Sequence, residues 1–442
     1  MEKMRFANTG LGSIFRSLKY RNYRLFFSGQ SLSLIGTWMQ RIAASWLAYR
    51  LSDSALILGV VSFSGQIPSF ILAPLGGLVA DRYSKHRILV LTQILSMLQA
   101  LVLSLLVLTG KIQIWHLALL SAMLGIINAF DMPTRQAFVV EMLEDQKDLG
   151  NAIALNSSMV NGARLLGPSI AGILIAVTGE GICFLLNAIS YLAVIISLLM
   201  MKLKPYKIQH AATHPLHQLK DAFVYSFGFA PIRYIILLLA IVSFTGMPYA
   251  VLMPVFARDI LHGDSSTLGF LMGASGIGAL TAALYLASRK TVLGLGKMLV
   301  VATLTFGASL MIFAISKSLW LSMPMLFFAG AGMMINLAAC NTILQTMVDD
   351  DKRGRVMSIF AMAFMGMVPF GSLIAGASAH RYGAGNTLLV GGLFCIAGGL
   401  SFSFKLPLIR KMVRPIYIKK GIIPETGSAI HTAAELNVPP ER

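Results

Sequence analysis

The chain has 442 residues, 56% of them hydrophobic and only 12% charged, where ordinary soluble domains carry roughly 25% charged residues. Depletion on this scale excludes a water-soluble globular domain, and continuous apolar runs about twenty residues long exclude the alternating pattern of a membrane β-barrel. The net charge of +18 would indicate nucleic acid in a soluble protein, but here the bases lie in loops between apolar runs, so no nucleic-acid partner is expected.

Residues 1–24 read as a cytoplasmic amphipathic N-terminus, with Ile14, Phe15 and Leu18 among Arg16, Lys19 and Arg21 suiting a membrane surface. The first apolar run is too long for a cleavable signal peptide and reads as a span that stays. Twelve spans are predicted, at about 25–49, 55–80, 88–109, 113–137, 150–178, 181–201, 234–257, 267–288, 298–316, 319–346, 355–379 and 385–406. Each is long enough to cross a hydrocarbon core of about 30 Å at about 1.5 Å per residue. The basic segment 202–233 separates two six-helix bundles, 25–201 and 234–406. Within it Leu216, Leu219, Phe223 and Phe227 have the spacing of a surface helix. Residues 407–442 read as a basic surface anchor followed by disorder. Cys183, Cys340 and Cys395 lie inside apolar runs without a CxxC or Cys/His cluster, so neither a disulfide framework nor a metal is expected.

Lysine and arginine placement sets the orientation. With both termini in the cytoplasm, 29 of the 36 fall on the cytoplasmic side and five on the other, leaving Arg41 and Arg164 inside spans. This predicts a multi-pass membrane protein with both termini in the cytoplasm.

The halves repeat. Arg82 and Arg289 end corresponding spans 207 residues apart, Asn128 and Asn336 lie 208 apart, and Gly167-Pro168-Ser169-Ile170-Ala171-Gly172 matches Gly371-Ser372-Leu373-Ile374-Ala375-Gly376 at 204. Duplicated six-span halves are how alternating-access transporters build a central site between rocking bundles.

Between the second and third spans, Gly77, Asp81, Arg82, His86 and Arg87 fill most of the pattern Gly-x-x-x-Asp-Arg-x-Gly-x-(Arg/Lys)-(Arg/Lys), with Ser84 in place of the usual glycine. On these residues the chain resembles the major facilitator superfamily. Three stretches, Phe130–Phe138, Arg164–Pro168 and Arg353–Met357, resemble its bacterial efflux branch of enterobactin-exporter-like and macrolide-efflux-like proteins. The resemblance implies an all-α membrane fold of twelve helices in two bundles related by a pseudo-two-fold axis. It also implies a central cavity between the first, fourth, seventh and tenth spans. Gln30, Trp38, Gln40, Arg41, Asn128, Arg164, Phe244, Tyr249, Asn336, Asn341 and Gln345 are its expected lining. Gly167, Pro168 and Gly172 resemble an antiporter signature, with Ala171 replacing one glycine, which implies export.

Asp131 alone among the 18 acids lies clearly within a span. A carboxylate in hydrocarbon is paired, faces a cavity or is protonated. Two roles follow: proton coupling, or a fixed ion pair with Arg135, Arg164 or Arg41. Arg41 suits an anionic substrate group or a pairing with Asp131, and Arg164 a relay. Arg135 also suits a pair with Asp81 joining spans two and four. Gly77, Asp81, Arg82, Arg87, Arg135, Arg353 and Arg355 form the expected conformational switch, with Asp81 at the N-terminus of the eleventh span as a latch between halves. The alternative is a loop that only sets orientation.

The expected activity is proton-coupled export of lipophilic or amphipathic small molecules of the drug or siderophore class, by a monomer in contact with membrane lipid. No cofactor is expected, and the energy source is the proton gradient, since no GxxxxGK[ST] occurs. An uncoupled or lipid-moving carrier is the alternative. An intramembrane enzyme is disfavoured because the histidines lie in loops, tails or near span ends, and a non-transporting receptor would bind without flux.

Overall fold

The computed structural model describes residues 15–203, 215–289 and 291–423, with the side chains of 215–221 left out. The expectations for residues 1–14 and 424–442, and for Leu216 and Leu219, lie outside the described residues.

The described chain is helical, without strands. The first six long helices are α1 (Arg21–Ser52), α2 (Ala55–Arg82), α3 (Lys85–Leu108), α4 (Ile114–Phe138), α5 (Leu149–Thr178) and α6 (Glu180–Leu199). The shorter α7 (Pro215–Gly228) follows. Then come α8 (Ala230–Ile260), α9 (Ser265–Ser288), α10 (Leu295–Ile315), α11 (Leu319–Met347), α12 (Asp350–Tyr382) and α13 (Ala384–Lys419). Every predicted span corresponds to one of these helices. Eleven are long and apolar enough to cross a membrane. The remaining one, α1, has the length at 32 residues but carries Arg21, Arg24, Arg41 and Arg50.

Burial runs opposite to a soluble protein. Trp320 and Phe404 are 88% and 81% exposed, whereas Gln93, Gln99, Asn187 and Asn336 are buried. Lipid solvates the former, and the latter need partners inside the bundle because hydrocarbon offers none. Gln40 Nε2 donates to Gln99 Oε1 at 3.0 Å, Asn187 Nδ2 to Gln40 Oε1 at 2.7 Å, and Gln99 Nε2 to the Leu120 carbonyl at 3.1 Å. This amide chain ties α1, α3, α4 and α6.

The two groups of six repeat their packing. Helix α2 lies on α4, as α9 lies on α11; α3 packs on α4 and α6, as α10 packs on α11 and α13. The groups meet along α5 with α9 and α2 with α12. Both seams are made by facing glycines. A Cβ on Gly172 would stand 2.7 Å from the Gly269 Cα, and one on Gly376 would stand 2.9 Å from the Gly59 Cα. Backbones approach this closely only where side chains are absent. Both glycine pairs lie toward the face away from the termini.

Toward the terminus-bearing face the seams loosen. A Cβ on Gly77, Gly150, Gly162 or Gly354 would meet nothing within 4 Å. The first turns of α12 pack on α7 and α8 of their own group. Helices α8 and α12 contain π segments at Val242–Gly246, Phe256–Ile260 and Met362–Gly366. Pro248 and Pro254 lie in the same stretch of α8, where each withholds an N–H from the regular ladder.

The two ends of the described chain add detail. Within the described part of the N-terminal segment, Arg16–Lys19 form a 3-10 turn pinned by Asp148: Tyr20 Oη donates to it at 2.8 Å, Lys19 Nζ stands at 2.7 Å, and Arg16 completes the cluster. The hydrogen bond to this carboxylate holds the Lys19 ammonium above the ordinary lysine pKa. The last helix does not stop at 406. Leu406, Ile409, Val413 and Tyr417 are buried at helical spacing, so the apolar stripe carries α13 on to Lys419.

Candidate substrate site between the helix groups

Trp38 is held at mid-length of α1, beside the Gly167-Pro168 step of α5. The absence of a side chain at Gly167 lets α1 close in there, and its Cβ would stand 3.0 Å from the Ile35 carbonyl. Two guanidinium groups converge on the Trp38 ring, Arg41 at 4.6 Å and Arg164 at 5.8 Å from its centroid. Both are within the reach of a cation–π contact. Arg164 Nη2 also approaches Met333 Sδ of α11, in the other group, at 3.5 Å. The cluster therefore lies between the groups at mid-depth. Arg41 is exposed there although it lies well inside a 32-residue helix.

Neither arginine forms an ion pair with a carboxylate among the described residues. Two unneutralised cations on one indole, at the depth of a hydrocarbon layer, form a site electrostatically complementary to an anion that also carries apolar surface.

Asp131 belongs to a different environment. It is 4% exposed and sits inside the first group. Its Oδ1 accepts from Thr92 Oγ1 at 2.9 Å and Gln93 Nε2 at 2.8 Å, and its Oδ2 pairs with Arg135 at 2.9 Å. Of the expected partners, the structure gives Arg135; Arg41 and Arg164 stay with Trp38. Gln93 Oε1 is buried beside this pair with no donor.

The face away from the termini carries a second set of cross-group contacts. Asp53 ends α1 with φ 48°, a left-handed conformation that Asp tolerates better than most residues. Its carboxylate receives Arg258 Nη1 at 2.6 Å. Tyr49 donates to Asp259, with Arg258 5.8 Å over the Tyr49 ring. Ser54 Oγ lies 3.3 Å from His380 Nδ1, and Ser265 Oγ donates to the Gly172 carbonyl at 3.0 Å. Apart from Gly172, these residues were not among those expected from sequence. The available signal was the lone Asp53 after α1 and the acid–base run Arg258-Asp259 in the last turn of α8, on a face poor in lysine and arginine.

The other expected residues divide. Tyr249 is 1% exposed and shares a 2.7 Å hydrogen bond with Ser275; Asn336 is 1% exposed and donates to Thr303 Oγ1 at 2.7 Å. Both turn into their own group, as Gln40 does, because a buried amide or phenol needs a local partner. Gln30 is buried, while Asn128 and Phe244 are half-buried. Gln345 Nε2 bonds Asn341 Oδ1 at 2.8 Å near the terminus-bearing end of α11. Asp81, Arg82, Arg87 and Arg355 are exposed at that end, and Arg353 pairs with Asp350 one turn away. Gly167 and Pro168 support Trp38, and Gly172 forms the seam.

Comparison with known proteins agrees with this architecture. The family described as "Transmembrane secretion effector" matches residues 12–415. The chain is 28% identical to a staphyloferrin A transporter of Staphylococcus aureus, over 86% of this chain and 95% of that protein. It is 24% identical to the multidrug efflux pump Tap of Mycolicibacterium fortuitum, over 85% and 93%. Among solved structures, a bacterial homologue of the human lysosomal transporter Spinster, described as inward-facing and unoccupied, superposes with a TM-score of 0.67 at 15% identity, covering 90% of this chain and 98% of that one.

Proposed function

This chain belongs to the transmembrane secretion effector family of major facilitator transporters, and we propose that it exports amphipathic, anion-bearing small molecules of the siderophore class by proton-coupled alternating access. The observation that carries the substrate reading is the pair Arg41 and Arg164 on one Trp38 ring without a carboxylate. An acidic group on the substrate neutralises the two guanidinium groups, while its planar or apolar part lies against Trp38 and Met333. A cationic drug would meet repulsion at the same place. The staphyloferrin A transporter among the relatives supports this class.

The lysine and arginine bias supports an inner-membrane protein with both termini in the cytoplasm. In that orientation the glycine seams and the Asp53–Arg258 bridge close the outer face, and the loosened side opens to the cytoplasm. An exporter loads its substrate in this state. Closing the cytoplasmic side would bring the Asp81 loop toward the first turn of α12, where Arg353 and Arg355 lie. Gly77, Arg82, Arg87 and Arg135 belong to the same switch.

Asp131 is the proposed proton acceptor. Protonation neutralises the acid that holds Arg135, and turning over the Gln93 amide would offer the new O–H its idle Oε1. Releasing Arg135 would loosen α4 where the switch must move.

The test is binding to the purified protein in lipid nanodiscs. An anionic siderophore-class chelator should bind at least tenfold more tightly than its neutral methyl ester. Arg41→Gln should remove that preference. Equal affinity for acid and ester would contradict the reading.

A further inference from the structure

A cavity of about 260 Å³ lies far from the Trp38 site, inside the second helix group at its terminus-bearing face. Its wall runs along α13 from Phe402 through Leu406 and Ile409 to Arg410 and Arg414. The opposite side is the turn Val292–Gly296 that starts α10. The lining is apolar along Phe402 and Leu406, and the two cationic side chains enter farther along α13, among Ile409, Val413 and Tyr417.

The length of α13 places that polarity in the membrane. Its 36 residues span about 54 Å at about 1.5 Å per residue, against about 30 Å of hydrocarbon. Counted from Ala384, the lipid core ends near Lys405, so Phe402 stands at its edge. Arg410 and Arg414 follow about 8 and 14 Å farther along the helix, in and just past the headgroup layer. They are one turn apart on the same helix face, both exposed, and neither forms an ion pair among the described residues. Gly294 caps α10 with φ 84° and offers no side-chain oxygen to the N–H groups behind it. A helix start of this kind adds partial positive charge to the same part of the cavity. The helix end is fixed in place. Lys420 Nζ donates to the Thr346 and Val348 carbonyls, both at 2.9 Å, tying α13 to the end of α11.

The geometry points to a binding site for one anionic phospholipid, with its phosphate between Arg410, Arg414 and the start of α10 and an acyl chain along Leu406 and Phe402. Charge complementarity favours an acidic headgroup, since two arginines with no carboxylate partner face a groove that no described residue fills. The groove opens at the depth where lipid phosphates lie, which favours a lipid over a soluble phosphate. This site is independent of the substrate reading above and uses none of its residues.

Thermal unfolding of the full chain in neutral detergent tests the proposal, with phosphatidylglycerol, phosphatidylcholine or inorganic phosphate added in separate arms. Phosphatidylglycerol should raise the midpoint at a half-saturating concentration at least tenfold below that of phosphatidylcholine, and inorganic phosphate should do little. Arg410→Gln with Arg414→Gln should abolish the difference. Gly296→Leu keeps both arginines but puts its side chain into the groove against the tip of Leu406, 2.8 Å from the new Cβ. It should abolish the difference too. Native mass spectrometry of the same three proteins should count one retained phosphatidylglycerol in the wild type alone. An unchanged lipid response in the double variant overturns the site. So does an unchanged response in Gly296→Leu, which would reduce it to surface charge. Inorganic phosphate matching the lipid overturns the lipid assignment, and an absence of lipid dependence in all three proteins overturns the site.

Discussion

Gly172 of α5 and Gly269 of α9 face each other across the junction of the two helix groups, so that a Cβ on either would fall within 2.9 Å of the other's Cα. Gly376 and Gly59 repeat the arrangement on the other side. The antiporter-like glycine and its counterpart 204 residues later thus do the same work in both halves: they let one face of the protein close.

Enlarging Gly172 should hold that face apart. Gly172→Leu should retain expression and lose most transport, since overpacking costs about 1–3 kcal/mol and a closed face requires this contact. Accessibility of a cysteine at position 265 to a membrane-impermeant thiol reagent should rise. Unchanged labelling and transport would show that the seam tolerates bulk.

The Asp53–Arg258 bridge should bias the same equilibrium more gently. The side chains are 71% and 41% exposed, so the pair contributes at most about 1 kcal/mol. Arg258→Gln should shift the population toward the open outer face by no more than about fivefold. Spin-label distances across that face measure it, and a larger shift would mean that Tyr49 and Asp259 are lost with the bridge.

Asp131→Asn should be costly whichever role the residue has. It strands Arg135, whose side chain is 19% exposed, and breaking a buried pair costs about 3–5 kcal/mol. Asp131→Asn combined with Arg135→Gln should recover much of the stability in a denaturation series. If the recovered protein still exports against a gradient driven by pH, Asp131 is a structural acid and not the coupler.

The N-terminal turn should stay docked through the neutral range. Lys19 has a raised pKa in the folded protein through its hydrogen bond to Asp148. Its contribution is therefore complete below the unfolded lysine value and disappears only as pH rises through the folded one, in strongly alkaline solution. Proteolysis near Arg16 should be slow from pH 6 to 9 and rapid in Asp148→Asn. Equal cleavage in both proteins would show that this cluster does not hold the turn.

The membrane fold was legible in the sequence because lipid imposes a simple code: runs of apolar residues about 20 long, separated by charge. Helix α1 was found by the same rule even though Gln30, Gln40, Arg41 and several serines make its middle polar. The end of α13 was missed because the apolar stripe Leu406, Ile409, Val413 and Tyr417 lies among Arg410, Lys411 and Arg414, which dilute the hydropathy signal. The site was only partly legible. Trp38, Arg41 and Arg164 stood out as costly residues in apolar surroundings, and they converge. Tyr249 and Asn336 stood out by the same criterion and turn the other way, because facing depends on a few degrees of helix rotation that one sequence does not encode. Asp53, Arg258 and Asp259 gave little signal, since charge at the end of a span is ordinary until the fold brings two such ends together.

The most direct test of the account is flux in proteoliposomes holding the wild type or Arg41→Gln with Arg164→Gln, with an anionic siderophore-class substrate, measured with and without an imposed pH gradient. The account predicts gradient-driven movement of the acid, at least tenfold slower movement of its neutral ester, and loss of the acid's advantage in the double variant. Transport of acid and ester at equal rates, or a wild-type flux indifferent to the gradient, would contradict it.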